Sequence, residues 1–203
     1  MVIGKQFAWA HLPKAGGTTT VAMFSVFDDL VLLADPPERE DAHLPFRDRA
    51  GQIEGKLLAL NLRRLPTWVL SRAQYVSRHG VHPDFKPIPI DSPKRLAETS
   101  LPDDRLSLYM DGGRYRIDRW LRMESLAEDF LSFVSELRPV TDEERELVYG
   151  IGALNALEYD REISHWFTPE QLQTLYRMNP CWAALEERLY GSLAADLVPT
   201  AAG

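Results

Sequence analysis

The segment that most constrains the fold of this chain is a short apolar run that leads through a glycine-containing turn into a helix. Residues Gln6–Leu12 (QFAWAHL) have the length and the apolar character of a buried strand. A turn follows over Pro13–Gly17, and apolar side chains then recur at helical spacing from Thr18 onward, at Val21, Phe24, Phe27 and Val31. This order of strand, loop and helix predicts that the chain begins as an α/β protein.

Further strands and helices follow the same alternation before the chain becomes helical. Lys56–Leu62 (KLLALNL) is a continuous apolar run, which is typical of an interior strand of a parallel sheet. Pro66 suits the first turn of the next helix, which we expect to run toward Arg78. Arg116–Met123 (RIDRWLRM) predicts another strand.

Three later helices are predicted from capping pairs, in which a Ser or Thr hydroxyl and a Glu or Gln side chain three residues on cap the helix N-terminus reciprocally. The pairs are Ser125 with Glu128, Thr141 with Glu144, and Thr168 with Gln171, the last with Pro169 at the first helical position. We therefore predict a parallel sheet flanked by helices, with a helical C-terminal part.

Residues 79–113 differ from the rest of the chain in their proline content. Five of the 14 prolines lie there, so we predict an irregular segment. A structureless segment of this length in a compact domain is usually functional. We therefore expect it to form a specificity region within a single domain that covers residues 1–203.

Composition excludes several classes of function. With 203 residues and a net charge of −7, the chain is a poor candidate for general binding to nucleic acid or to anionic membranes. Its one cysteine, Cys181, excludes an internal disulfide and fits a reducing compartment. Neither a signal peptide nor a membrane-spanning apolar run is recognisable, so we expect a cytoplasmic protein.

The turn after the first strand has the composition of an anion-binding loop. Glycines let the backbone approach an anion closely, the helix N-terminus offers amide N–H groups, and lysine and threonine side chains add a charge and hydroxyl donors. The segment reads His11-Leu-Pro-Lys14-Ala15-Gly16-Gly17-Thr18-Thr19-Thr20.

This loop is not a Walker A motif, in which the lysine follows the last glycine. Here Lys14 precedes both glycines. The order Pro-Lys-x-x-x-Thr-Thr resembles instead the loop that binds the 5′-phosphosulfate in sulfotransferases that use 3′-phosphoadenosine-5′-phosphosulfate (PAPS). The resemblance implies that Lys14 stabilises charge on the leaving oxygen.

A second match concerns the family's site for the 3′-phosphate, an arginine after a central strand and a serine eight residues later. Arg63 follows the apolar run and Ser71 lies eight residues on. The proline that the family places two residues after its arginine lies three after Arg63, at Pro66. Arg64 would fit that proline but not the serine, so it stays an alternative to Arg63.

A third match lies between the two phosphate motifs. His43-Leu-Pro-Phe46 resembles the Gly-His-x-x-Phe segment of carbohydrate sulfotransferases of the 2-O and related types, with Ala42 in place of the glycine. The resemblance implies that His43 is the base that activates the acceptor hydroxyl, a role that an imidazole with an unperturbed pKa of about 6.5 can fill. The nearby carboxylates are alternatives: Glu38, Glu40 and Asp41.

Two further segments resemble the same family, Arg122-Met-Glu-Ser-Leu126 and the helical stretch Phe167–Gly191. Together the matches imply a fold like that of P-loop NTPases and transfer of a sulfuryl group from PAPS, released as PAP, to a hydroxyl of a carbohydrate, lipid or small molecule. They imply no metal. Because no membrane anchor is recognisable, we expect a bacterial cytoplasmic member of the family. The alternatives are a small-molecule kinase on a related fold and a non-catalytic PAP-binding protein. The sequence does not identify the acceptor or the oligomeric state.

Overall fold

The computed structural model describes residues 1–35, 43–79, 92–154 and 156–197. By their contacts the residues divide into two units. The first unit contains Met1–Leu62 and Ser107–Ala156, and the second contains Arg63–Leu106 and Leu157–Gly203. The expectation of a single domain over 1–203 stays a prediction.

A five-stranded sheet belongs to the first unit. Its strands are Val2–Gly4 (β1), Phe7–Ala10 (β2), Val31–Ala34 (β3), Leu57–Leu62 (β4) and Arg119–Arg122 (β5), in the spatial order β3-β1-β2-β4-β5. β4 pairs in parallel with β2 on one side and with β5 on the other. β1 pairs antiparallel with both β2 and β3.

The helices complete the secondary structure. In the described residues, α-helices run over Gly17–Phe24 (α1), Ala50–Ile53 (α2), Leu65–His79 (α3), Pro93–Ala97 (α4), Leu101–Met110 (α5), Leu126–Leu137 (α6), Asp142–Gly150 (α7), Pro169–Met178 (α8) and Pro180–Tyr190 (α9). Short 3₁₀ turns lie between several of them, among them Ser25–Leu30 and Met123–Ser125. None of these helices is both long enough and apolar enough to cross a membrane.

The predicted α/β character is confirmed, but the sheet is mixed and not fully parallel. β2, β4 and β5 form the parallel part, and each lies within its predicted strand segment. β1 was not predicted, and only two residues connect it to β2, a link that permits only an antiparallel pair. Val31 was assigned to the first helix and lies instead at the start of β3, because α1 already ends at Phe24.

The core of the first unit lies between the sheet and helices α1 and α6. Phe7 of β2 stacks on Phe24 of α1 with ring centroids 5.3 Å apart. Phe24 in turn meets Phe130 of α6 edge to face at 4.9 Å. All three rings are buried. Aromatic contacts of this kind are worth about 0.5–1.5 kcal/mol beyond their burial, so they hold α1, and the loop that precedes it, firmly on the sheet.

Two of the three capping predictions are confirmed. Thr141 caps α7 and Thr168 caps α8. In each case the Thr hydroxyl accepts from the amide three positions on, and the side chain of that residue accepts from the Thr amide. Ser125 makes no side-chain cap, so that prediction is wrong. The chain enters α6 directly from a 3₁₀ turn, and Ser125 lacks the extended backbone that an N-cap requires.

The prediction of an irregular segment over 79–113 is wrong for most of its described part. Residues 93–97 and 101–110 form α4 and α5. Ser92 caps α4 by accepting from the amide of Arg95, and Pro93 occupies the first turn. Pro93 and Pro102 lie in the first turns of these helices, where the fixed φ of proline is compatible with helix formation. Residues 80–91 lie outside the described residues.

Candidate functional site

The loop between β2 and α1 makes its turn with two residues of left-handed backbone. Lys14 has φ 66° and Gly16 has φ 85°. Glycine adopts this conformation without penalty, whereas a residue with a Cβ loses roughly 1–2 kcal/mol. The amide of Ala15 donates to the carbonyl of Leu12 at 3.3 Å and closes the turn. A non-glycine residue held in this conformation is typical of functional loops.

The N-terminus of α1 is suited to an anion. Its N-cap residue, Gly16, has no side chain with which to cap the first amides, and the first turn contains no acidic residue. The first N–H groups of a helix have no acceptor within the helix, and the helix dipole adds positive potential there. The predicted order of strand, loop and helix is therefore confirmed, and the anion site stays a prediction.

The three threonines of the loop are not equivalent. The Thr20 side chain is fully buried, and its hydroxyl donates to the carbonyl of Gly16 at 3.1 Å. Thr19 is 4% exposed and accepts from the amide of Leu154 at 3.1 Å. Thr18 is half-buried. Thr19 and Thr20 thus have partners within the protein that stabilise the loop, and the roles of Thr18, Thr19 and Thr20 toward a ligand stay predictions.

Asn61 of β4 stabilises the loop through hydrogen bonds, and the sequence did not predict this role. Its side chain is completely buried. The amide nitrogen donates to the carbonyl of Ala15 and to the hydroxyl of Thr20, each at 2.8 Å, while the amide oxygen accepts from Trp9 Nε1 at 2.7 Å. The available signal was a lone amide within an otherwise apolar strand, since a buried amide needs hydrogen-bond partners.

His43 lies beside the anion loop, although 32 positions separate it from His11. Its Nδ1 is 3.1 Å from the carbonyl oxygen of His11, and the two imidazole centroids are 4.2 Å apart. The buried Tyr109 places its hydroxyl 2.8 Å from the carbonyl oxygens of both histidines. A carbonyl oxygen only accepts hydrogen bonds, so Nδ1 of His43 carries a proton, and Nε2 is the basic nitrogen of the neutral ring.

His11 differs from His43 in being buried, with 6% of its surface exposed. Burial, followed by the nearby His43, the N-terminus and Lys14, lowers the pKa of His11 to about 2. His11 is therefore neutral near pH 7. Its ring fills the space beside Gly17, where a Cβ would lie only 1.7 Å from the imidazole Cδ2. Glycine at position 17 thus serves this close approach.

The predicted ligands of the second phosphate belong to the second unit. Ser71 lies on α3 and is 8% exposed. Arg63 donates from Nε to the hydroxyl of Thr67 at 3.1 Å, and its carbonyl accepts from the indole of Trp182 at 2.9 Å. The Arg63 backbone is therefore fixed, and its side chain is half-buried.

Arg64, the alternative to Arg63, belongs to a buried network. Its Nη1 donates to Glu186 Oε1 and to the carbonyl of Ser192, both at 3.0 Å, and its guanidinium lies 4.4 Å from the ring centroid of Tyr190. Glu186 is completely buried and also accepts from the amide of Leu65 at 2.7 Å. Burial raises the pKa of the Glu186 carboxyl, and Arg64 opposes that shift. These contacts favour a structural role for Arg64.

We expect the two arginines to differ in how much their replacement by alanine lowers the free energy of unfolding. Arg64→Ala leaves the carboxylate of Glu186 buried without its cation and should lower the free energy of unfolding by about 3 kcal/mol. Arg63→Ala removes a bond to Thr67 and should lower it by about 1 kcal/mol. Urea titrations followed by far-UV circular dichroism measure both. Equal losses would remove the structural distinction between the two side chains.

One cavity of the first unit lies away from the anion loop. Glu38, Glu40 and Asp41 are outside the described residues. A cavity of about 370 Å³, lined among others by Lys56, Leu58 and Tyr115, opens at the amino-terminal end of β4. Asn61 and the anion loop lie at the carboxyl end of the parallel strands, so this cavity is separate from the candidate site.

The structure thus brings together one group of the predicted residues, Lys14 to Thr20 with His43, in the first unit. Arg63, Arg64 and Ser71 belong to the second unit. Among the residues that the structure describes, no three His, Cys, Asp or Glu side chains form a group that could hold a metal ion. No protein-family model, curated protein or solved structure matches the chain. Any functional assignment therefore depends on the residues and their geometry.

Proposed function

We propose that this protein is a PAPS-dependent sulfotransferase with the architecture of a P-loop-like α/β protein. The observation that carries the proposal is the loop from Lys14 to Thr20 at the N-terminus of α1, with His43 next to it. An anion site and a candidate base side by side are what transfer of an anionic group to a hydroxyl requires. The parallel arrangement of β2, β4 and β5 also supports this architecture.

The loop would bind the 5′-phosphosulfate of PAPS. The amides at the start of α1 supply hydrogen-bond donors of fixed direction, and the helix dipole favours the negative charge. Lys14 adds a full positive charge and lies near enough to His11 to lower its pKa. We assign Lys14 to the oxygen that bridges phosphorus and sulfur, because that oxygen gains negative charge as the bond to sulfur breaks.

His43 would act as the base toward the acceptor. With Nδ1 held by the carbonyl of His11, Nε2 can take the proton of an acceptor hydroxyl. The acceptor oxygen then forms a bond to sulfur, and the bond from sulfur to the bridging oxygen breaks. PAP leaves with the electrons of that bond on its 5′-phosphate, near Lys14. The sulfuryl group is now on the acceptor and the proton is on His43.

The 3′-phosphate of the nucleotide is assigned to Arg63 and Ser71 by the resemblance to the family. The contacts of Arg64 support this choice over the alternative, because its guanidinium already serves Glu186 and Ser192. A guanidinium suits a phosphate, since it offers several donors in one plane. The acceptor is a hydroxyl compound, either a carbohydrate, a lipid or a small molecule.

The nucleotide preference tests this proposal and distinguishes it from a kinase. PAP at a hundred times its dissociation constant should stabilise the protein by about 2.7 kcal/mol, and ATP at the same concentration should do so much less. The reason is that PAP carries separate 5′- and 3′-phosphates, whereas ATP carries a single triphosphate. Differential scanning fluorimetry with PAP, ATP and 5′-AMP measures this. Equal stabilisation by ATP and PAP would overturn the proposal and favour a small-molecule kinase.

A further inference from the structure

A directed series of buried hydrogen bonds runs from the sheet into the anion loop. Trp9, Asn61 and Thr20 are each fully buried. Trp9 donates to Asn61 at 2.7 Å, Asn61 donates to Thr20 at 2.8 Å, and Thr20 donates to the carbonyl of Gly16 at 3.1 Å. A second branch runs from Asn61 to the carbonyl of Ala15 at 2.8 Å.

The direction of every bond in this series is fixed by chemistry. An indole nitrogen can only donate, so the oxygen of the Asn61 amide must face Trp9. The amide nitrogen then faces the loop, where the carbonyl of Ala15 can only accept. The hydroxyl of Thr20 accepts from Asn61, so its own proton goes to the carbonyl of Gly16. The side chain of Asn61 therefore has one orientation that satisfies all its partners.

This orientation has a consequence for the ligand side of the loop. In a planar trans peptide the C=O and N–H groups point in opposite directions. Because the carbonyls of Ala15 and Gly16 are drawn inward, the amide N–H groups of Gly16 and Gly17 point the other way. At this part of the loop an anion would then meet the N–H groups of Gly16 and Gly17 and not the carbonyl oxygens of Ala15 and Gly16, whose partial negative charge would repel it.

We propose that Asn61 is a positioning residue that makes the ligand side of the anion loop a surface of hydrogen-bond donors for a phosphate or sulfate ester. It acts through the carbonyls of Ala15 and Gly16 and does not touch the ligand. The inference deepens the proposed function and rests on it for the identity of the ligand, PAPS. It predicts that replacing the buried amide of Asn61 weakens the binding of PAPS and leaves the binding of the acceptor hydroxyl compound unchanged.

The direct test is the isosteric change Asn61→Asp, which keeps the oxygen toward Trp9 and replaces the two donated bonds with a carboxylate oxygen. The dissociation constant of PAP, measured by isothermal titration calorimetry, should rise at least about tenfold, as expected when bonds to a charged ligand are weakened. In assays with an acceptor, KM for PAPS should rise and KM for the acceptor should not. A merely structural defect would not separate the two.

Asn179 of the second unit offers a matched control. It is also fully buried, and its amide nitrogen donates to the carbonyls of Thr99 at 2.7 Å and Leu175 at 2.8 Å. Asn179→Asp should lower thermal stability as Asn61→Asp does, because each variant loses the bonds that a buried amide donates. It should leave PAP affinity within about twofold, because the amide of Asn179 donates to Thr99 and Leu175 and not to the anion loop. Equal weakening of PAP binding by both variants would overturn the inference.

Thr20→Val is the second variant, and it decides the matter if Asn61→Asp does not fold. It removes the bond to the Gly16 carbonyl with little change in volume and should also weaken PAP binding.

Inorganic pyrophosphate, titrated in parallel, distinguishes failure of the proposed function from failure of the role of Asn61. Wild-type protein that binds pyrophosphate but not PAP would overturn the proposed function, and the variants would then be judged on pyrophosphate. Wild-type protein that binds neither would overturn both proposals. Binding unchanged by the variants would overturn only the role of Asn61.

Discussion

Replacing His43 with alanine is expected to lower turnover by about 10²–10⁴-fold, the usual effect of losing a general base, while PAP affinity changes little. The ring of His43 lies 4.2 Å from that of His11, at the edge of the anion loop, and its contact with His11 leaves Nε2 as the basic nitrogen. The proposed function assigns this histidine to the acceptor hydroxyl and not to the nucleotide. Steady-state kinetics with an acceptor that the protein sulfates, together with PAP titration, measure both effects.

The pH dependence gives a second measure of the same residue. A base must be unprotonated to accept a proton, so wild-type activity should fall on the acid side as His43 becomes protonated. His11 cannot produce that loss near neutral pH, because its pKa is lowered to about 2. The acid limb should therefore disappear or move in His43→Ala. His165→Ala, which changes a histidine whose side chain is 68% exposed, is the matched control and should keep the wild-type profile. Near-normal turnover in His43→Ala would direct the search to Glu38, Glu40 and Asp41.

Replacing Lys14 with alanine should impair two quantities together. We expect PAP affinity to fall about 10–100-fold through loss of a charge-assisted bond, and turnover to fall about 10²–10³-fold through loss of charge stabilisation on the leaving oxygen. Protein stability should change little, because alanine and lysine bear the same penalty for the left-handed backbone at this position, with φ 66°.

The matched control for Lys14 is Lys5→Ala, at an exposed side chain in the two-residue link between β1 and β2. It should leave both PAP affinity and turnover unchanged. If Lys14→Ala lowered PAP affinity but left turnover at saturating PAPS intact, Lys14 would be a binding residue with no part in stabilising the leaving group.

Sequence patterns predicted the elements that carry their own local signals. The apolar runs before Lys14 and before Arg63 contain β2 and β4, and Pro66 lies in the first turn of α3 as expected. The capping pairs at Thr141 and Thr168 were equally local and equally correct. Each of these features depends on residues within one helical turn or one strand.

The elements that were missed depend on pairing with distant residues. β1 has only three residues and exists because β2 and β3 pair with it on either side. Val31 continues the helical spacing of α1, yet its backbone pairs with Gly4 in the sheet. A high proline content concealed α4 and α5, because prolines in the first turn of a helix stabilise its start.

The candidate site likewise combines a part that local sequence predicts with a part that depends on distant residues. Its loop was predicted from adjacent residues, but its supporting side chains are far apart in sequence. Asn61 is 46 positions from Ala15, and Tyr109 is 98 positions from His11. The choice between Arg63 and Arg64 was open from proline and serine spacing alone. A carboxylate 122 positions away, Glu186, distinguishes them by pairing with Arg64.

Sulfuryl transfer is measured most directly by incubating the protein with PAPS that carries a radiolabelled sulfuryl group and panels of glycans, lipids and small-molecule alcohols. The proposed function predicts that label appears in at least one acceptor, that PAP forms in equal amount, and that Lys14→Ala and His43→Ala both suppress the transfer. Tight binding of PAP without label in any acceptor and without PAP release would contradict it, and would identify the chain as a nucleotide-binding protein without transferase activity.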